Sequence, residues 1–251
     1  IDILKKNNIK VIKNFMRDES SHLYDGFFSR LINKKPFITL KIACSLDGKI
    51  GLKNNKSKWI TNKLSRAQVH LIRSQNDAIL TSSSTIISDD PEMNCRLKGL
   101  EYRSPLKVVL DRYLKVSPDH KIYSESSYSE IILFSQSNID NHLNNKKNIS
   151  KVKIENKITN QDYFNFIFKD LANRGINNLL IECGSKLNTI LLSLNLVDQL
   201  IIFRSGSIIG NDGIPFINNL NSLEMNELMN YKISSIRTFE DDILEIRKLL
   251  N

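Results

Sequence analysis

Cysteine, proline and tryptophan are scarce in this chain of 251 residues, at three, five and one, and there are only nine glycines. Cys44, Cys95 and Cys183 are odd in number, far apart and never in a Cys-x-x-Cys pair, which points away from a disulfide framework and toward reduced, structural thiols. His22, His70, His120 and His142 are scattered too. None stands three to five residues from another histidine or a cysteine, so no metal site is expected. No apolar run approaches the roughly 20 residues of a membrane span; 190–194 and 200–203 are among the longest. The N-terminus, Ile1-Asp2-Ile3-Leu4-Lys5-Lys6, has neither an initiator methionine nor the apolar core of a signal peptide. It reads as the start of a fragment of a longer, cytoplasmic protein.

What the chain does have is 41% hydrophobic residues and a length that fits one large domain with a small appendage. Its formal charge of +9 fits a nucleic-acid partner, a coding bias toward lysine and asparagine, or a field that steers phosphorylated ligands. The cations are not gathered with aromatics, and charge alone does not choose among the three.

Period and punctuation give the architecture. Residues 1–35 read as a helix end, a short strand over 10–12 and a helix over 18–32, with Leu23, Phe27 and Leu31 at helical spacing. After Lys34-Lys35-Pro36, alternation over 37–43 predicts a strand ending at a turn on Asp47-Gly48. Thr61 is expected to cap a helix to Ser74 with Leu64, Ala67, Leu71 and Ile72 on one face, followed by a strand over 78–80. Strands over 107–110, 131–134 and 179–182, a helix over 160–173 stopped by Gly175, an edge strand over 151–154 and a closing hairpin of 233–237 with 243–246 complete an α/β pattern.

Four segments carry candidate chemistry: Lys41-Ile42-Ala43-Cys44-Ser45-Leu46-Asp47-Gly48, Ser57-Lys58-Trp59-Ile60-Thr61, Thr81-Ser82-Ser83-Ser84-Thr85 and Asp89-Asp90-Pro91-Glu92-Met93-Asn94-Cys95-Arg96. Read on their own terms, Trp59 is a core residue or a ligand wall, Asp89 a turn residue or a polar contact, and Arg73 and Arg96 surface cations or an anion clamp. Lys41 and Glu182 sit at the ends of apolar strands, where a charge is costly unless paired or functional. They are a catalytic pair or a buried salt bridge.

In order and spacing these segments, with Val108-Val109-Leu110-Asp111, Glu182-Cys183-Gly184, Leu196-Val197-Asp198 and 206–213, resemble the reductase domain of the bifunctional deaminase/reductase family of riboflavin biosynthesis. The resemblance implies an α/β fold with a dihydrofolate-reductase-like mixed sheet flanked by helices over 36–251. It also implies that 1–35 is the C-terminal tail and linker helix of a deaminase domain, through the stretch Gly26-Phe27-Phe28-Ser29-Arg30. The deaminase's own His-x-Glu and Pro-Cys-x-x-Cys zinc signature does not occur, so this chain is not expected to deaminate or to bind zinc.

By the same resemblance, NADPH would contact Ala43, Trp59, Thr85, Asp89 and the run Gly184, Ser185, Lys186, Leu187, Asn188, Thr189 and Ile190, where amides at a helix start can meet a pyrophosphate. Ser57, Arg73, Met93, Arg96 and Glu182 would hold the substrate, the guanidinium forks gripping its phosphate. Lys41, Asp89 and Glu182 would be catalytic. The implied reaction is hydride transfer from NADPH to the ribosyl C1 of 5-amino-6-(5-phosphoribosylamino)uracil, giving the ribitylamino compound. The implied partner is a small phosphorylated pyrimidine, not a nucleic acid or a membrane, with the enzyme a homodimer. The chain departs from the family pattern at Arg112, Cys183, Lys186 and Asn188, where smaller or apolar residues are usual. Arg112 and Lys186 could add phosphate contacts or crowd the loop. Rival readings are a reductase of the same fold acting on another pyrimidine or pterin, and a non-catalytic cofactor- or nucleic-acid-binding module.

Overall fold

Strands that are apolar on both faces must be covered on both faces, and a parallel sheet between helices is the arrangement that does so. The computed structural model describes residues 1–16, 22–54, 59–124, 129–137, 143, 148–220, 224 and 228–250. Its strands are β1 (Phe37–Cys44), β2 (Lys49–Leu52), β3 (Ala78–Ser82), β4 (Leu106–Leu110), β5 (Ile131–Ser135), β6 (Ile149–Lys153), β7 (Asn178–Ile181), β8 (Gln199–Arg204), β9 (Gly213–Pro215), β10 (Tyr231–Phe239) and β11 (Asp242–Leu249). The helices are α1 (Asp2–Lys6), α2 (Asp25–Phe28), α3 (Lys63–Ser74), α4 (Ser83–Asp89), α5 (Asn160–Asn173) and α6 (Ser185–Ser193).

Among the described residues one sheet of nine strands runs β10-β11-β8-β1-β7-β3-β4-β5-β6, and β2 pairs with β9 apart from it. From β8 to β6 every pairing is parallel, and the β10–β11 hairpin closes one edge antiparallel. The chain leaves β1 for β3, and β7 later fills the place between them while β8 joins the other side of β1. Such a switch in strand order opens a crevice at the carboxyl ends of the strands.

One face of the sheet, with Leu40, Val108, Phe134 and Ile181, is covered by Phe164, Ile167, Phe168 and Leu171 of α5 and by Leu191 and Leu192 of α6. The other, with Ile79, Val109, Leu180 and Phe203, is covered by Val69 and Ile72 of α3 and Ile86 of α4. Each such side chain stabilises by roughly 1.5–3 kcal/mol when fully buried. The dihydrofolate-reductase-like mixed sheet with flanking helices is therefore present.

Several local expectations need correction. Residues 10–12 form no strand; they lie in irregular chain between α1 and the next described turn. Of the helix expected over 18–32, residues 18–21 lie outside the described residues. The remainder is a 3-10 turn, α2 and a π turn over Ser29–Asn33, not one continuous helix. α3 is capped by Asn62, whose side chain accepts from Ser65 N at 2.9 Å, rather than by Thr61. Its buried face is Ser65, Val69 and Ile72, and Leu64 is exposed.

Candidate active site

The parallel register of β1 with β7 pairs Leu40 with Ile181 and so brings the next residues, Lys41 and Glu182, side by side. Alternation turns both onto the α3 face of the sheet. Lys41 Nζ lies 3.2 Å from Glu182 Oε2. A third member arrives from the last turn of α3: Arg73 Nε donates to Glu182 Oε1 at 2.7 Å and Nη2 to Oε2 at 2.9 Å. The expected pair is thus a buried cluster of one carboxylate between two cations. Burial would raise the Glu182 carboxyl, but the Arg73 and Lys41 charges and their hydrogen bonds outweigh it and hold the group well below the usual carboxylate range.

Arg73 does not stand open as one half of a simple phosphate clamp. Its fork is committed to Glu182, and Nη1 donates to Asn94 O at 3.0 Å. Met93, 3% exposed, is beside it with Sδ 4.0 Å from Nη2. Arg96 is different: its exposed guanidinium reaches Glu92 Oε2 at 3.3 Å and Asn94 Oδ1 at 3.2 Å, a solvent-screened arrangement that a competing anion can replace. Ser57 lies outside the described residues.

On the cofactor side, Gly184 is the N-cap of α6 and no side chain caps that helix. Gly184 has an ordinary φ of −86°, and a Cβ added there would meet no protein atom within 4 Å. Neither backbone nor packing calls for glycine, so the space it leaves at the helix start is available to a ligand. The polar side chains that follow turn away from that space. Asn188, 1% exposed, donates to Phe216 O at 2.9 Å and accepts from Cys183 Sγ at 3.0 Å; Ser185 Oγ donates to Asn218 Oδ1 at 2.9 Å. Thr189 Oγ1 accepts from Asn218 N at 2.8 Å and donates to Ser185 O at 2.7 Å. Leu187 and Ile190 pack against the core. Lys186 remains exposed in the first turn. Asn188 is therefore held in the interior by two hydrogen bonds. It and Cys183, two of the departures from the family pattern, bond to each other.

The other expected residues make local contacts of their own. Ala43, on the Lys41 face of β1, packs with the α3-side core. Thr85 Oγ1 lies 3.1 Å from Ser82 Oγ, and Asp89, at the end of α4, accepts from Ser88 Oγ at 2.8 Å. Trp59 is no core residue: it is 69% exposed, with the Arg66 guanidinium 4.3 Å from its ring centre. Arg112, just past β4, stacks on Tyr163 at 4.4 Å.

Residue patterns did not single out three positions. Asp47 accepts from Ser45 Oγ at 2.6 Å, Ile209 N at 3.0 Å and Gly210 N at 2.7 Å, tying the turn after β1 to the loop after β8. These bonds, the one from Ser45 foremost, lower its pKa to about 2. Asp242, 4% exposed, accepts from Asn62 N and Ser65 Oγ, both at 2.7 Å, and so fastens α3 to the hairpin. His70 lies three residues before Arg73 on α3, a spacing that shares a helix face and was the available signal. Among the described residues no group of three or more His, Cys, Asp or Glu gathers to hold a metal ion, and no helix is long and apolar enough to cross a membrane.

A largely parallel sheet with a charged cluster near the carboxyl ends of its central strands and an uncapped helix start beside it is an α/β fold with a candidate ligand site at the strand ends. The chain belongs to the RibD C-terminal domain family, whose description matches residues 36–244. It is 32% identical over 254 residues to the riboflavin biosynthesis protein RibD of Buchnera aphidicola subsp. Baizongia pistaciae, covering 96% of this chain and 67% of that one. It is also 32% identical over 204 residues to a 5-amino-6-(5-phosphoribosylamino)uracil reductase of Buchnera aphidicola subsp. Acyrthosiphon pisum, covering 76% of this chain and 96% of that one. A solved Thermotoga maritima protein, described as a diaminohydroxyphosphoribosylaminopyrimidine deaminase/5-amino-6-(5-phosphoribosylamino)uracil reductase, superimposes with a TM-score of 0.82 at 26% identity, over 99% of this chain and 66% of that one. The chain spans about two thirds of the length of the longer relatives.

Proposed function

We propose that this chain reduces 5-amino-6-(5-phosphoribosylamino)uracil to 5-amino-6-(5-phosphoribitylamino)uracil in riboflavin biosynthesis, with NADPH as the reductant. The observation that carries the reading is the buried Lys41–Glu182–Arg73 cluster two residues before an open helix start. The name of the Acyrthosiphon pisum relative supports the substrate. NADPH, when bound, supplies the hydride; the chain's task is to hold the reactants and manage the proton.

The α6 start fits a pyrophosphate, with Gly184 leaving space for close approach and Lys186 adding a cation in the first turn. Glu182, kept ionised, accepts from ribosyl hydroxyls, and Arg73 fixes its orientation by a two-point grip. Lys41 Nζ carries three N–H donors. One meets Glu182, and another donates to the ribosyl ring oxygen as the ring opens to the imine, the form in which C1 accepts hydride and the nitrogen a proton. Arg96 takes the phosphate in place of Glu92. Asp89 stays in this reading as a polar group of the cofactor side.

A homodimer belongs to the same proposal, supported by exposed Ile233 and Ile236 on edge strand β10. So does a cytoplasmic setting. Residues 1–35 would be the tail of a deaminase domain: the family match starts at residue 36, yet the similarity to the longer relatives extends over 96% or more of this chain. The test is NADPH oxidation by the purified chain on addition of the deaminated intermediate. Stoichiometric oxidation supports the assignment; oxidation only with an unphosphorylated pterin or pyrimidine, or none at all, removes it.

A further inference from the structure

The segment 92–96 carries Met93 and Arg96, two of the groups assigned above to substrate, yet it belongs to no helix or strand. Something other than a backbone ladder must fix it. Met93 adds to the demand: its φ is +52°, a left-handed conformation that a non-glycine residue keeps only when its surroundings impose it. Cys95 N donates to Ser104 Oγ at 3.0 Å, and the rest of the fastening comes from one face of α3. Arg73 Nη1 donates to Asn94 O at 3.0 Å, and three residues earlier His70 Nδ1 lies 3.1 Å from Asn94 O and 3.3 Å from Arg96 N.

The geometry points to His70 as a positioning residue for the reduction: its ring locks the backbone of 94–96 to α3 and so sets where the Arg96 guanidinium stands relative to Glu182. This inference rests on the proposed function for what Arg96 binds, but not for the locking itself. Either neutral tautomer serves. With the proton on Nδ1 the ring donates to Asn94 O; with the proton on Nε2 it accepts from Arg96 N. Burial, then the Arg73 and Arg96 charges, pull its pKa down to about 4, so the ring is neutral in ordinary buffers and puts no third cation beside the two arginines. Glu182 and Glu92 are the carboxylates of this neighbourhood. Each is already engaged, Glu182 by Arg73 and Lys41 and Glu92 by Asn94 and Arg96.

Two variants test it. His70→Phe keeps the ring's bulk and removes Nδ1, and His70→Asn puts an amide near the lost nitrogen. Hydrogen exchange of the amides in 92–97 should accelerate in His70→Phe and return toward wild type in His70→Asn. With the phosphorylated substrate, His70→Phe should raise KM by about tenfold or more while kcat and the KM for NADPH stay within about threefold, and His70→Asn should recover most of the loss. Unchanged exchange in His70→Phe overturns the locking. Accelerated exchange with equal losses for substrate and NADPH overturns the positioning role. A wild-type chain that turns over no substrate defeats the proposed function instead, and the exchange comparison still decides whether His70 holds the segment.

Discussion

Glu182 concentrates the electrostatics of the site, and the two arginines assigned to substrate are related to it differently. Arg73 is buried with it and supplies a two-point grip, so Arg73→Ala would leave the buried carboxylate only the single Lys41 contact of this cluster, and stability should fall by roughly 3–5 kcal/mol. Arg96 is exposed, so Arg96→Ala should leave the melting temperature nearly unchanged while weakening the phosphorylated substrate by roughly 1.5–3 kcal/mol. Denaturant titration and substrate KM on both variants check the contrast, and equal effects would refute it. Gly184 allows a cleaner separation of fold from function. A methyl group there meets no protein atom, so Gly184→Ala should melt within a few degrees of wild type but bind NADPH roughly tenfold more weakly, the equivalent of ~1.4 kcal/mol. An unchanged dissociation constant by fluorescence titration would mean that the space at the α6 start is not the cofactor's.

At the scale of elements, legibility followed locality. α5 runs over the predicted 160–173 because all its signals are local: Thr159 exchanges hydrogen bonds with Asp162 at its start, Tyr163, Phe164, Ile167, Phe168 and Leu171 form one apolar stripe, and Gly175 ends it at φ +92°. The closing hairpin was legible for the same reason, from two alternating runs around an acidic turn. What sequence did not reveal depends on distant partners. Asn62 rather than Thr61 caps α3 because the cap is shared with Asp242, 180 residues away. Asp242, the first residue of β11, is a buried acceptor. Asp242→Ala should therefore lower stability by roughly 1–3 kcal/mol, since it strands Asn62 N and Ser65 Oγ. Combined with Ser65→Ala the losses should be less than additive, as a double-mutant cycle in urea would measure. Full additivity would mean that the first turn of α3 and the hairpin are not one latch.

The whole molecule brings Lys41, Arg73 and Glu182 together only through the strand order that seats β7 beside β1; the Lys41–Glu182 bridge was one of two readings of the charged strand residues, whereas the Arg73 fork on Glu182 was not foreseen. Global stability also carries a pH signature. Lys107, 1% exposed on β4, donates to Ile122 O at 3.2 Å, and burial pulls its pKa from 10.5 to about 8. Its folded pKa lies below the unfolded value, so the charged form penalises folding fully below pH 8, and the penalty eases as pH rises from there. Above pH 9 the buried Cys44 thiol, pushed up to about 11 by burial, works the other way and costs stability as unfolded thiols ionise. Lys107→Met should thus be more stable than wild type at pH 7 by about 1–2 kcal/mol after the lost bond to Ile122 is discounted, with the gap narrowing between pH 8 and 9. A destabilised Lys107→Met at pH 7 would contradict this. The most direct test of the reductase account is a single turnover of NADPH with the phosphorylated substrate, comparing wild type with Lys41→Met. Arg73 still holds Glu182 in that variant, so folding and NADPH affinity should change little while turnover falls by about 10²- to 10⁴-fold. Near-normal turnover in Lys41→Met, accompanied by a large drop in melting temperature, would instead make Lys41 a structural partner of Glu182 and contradict the account.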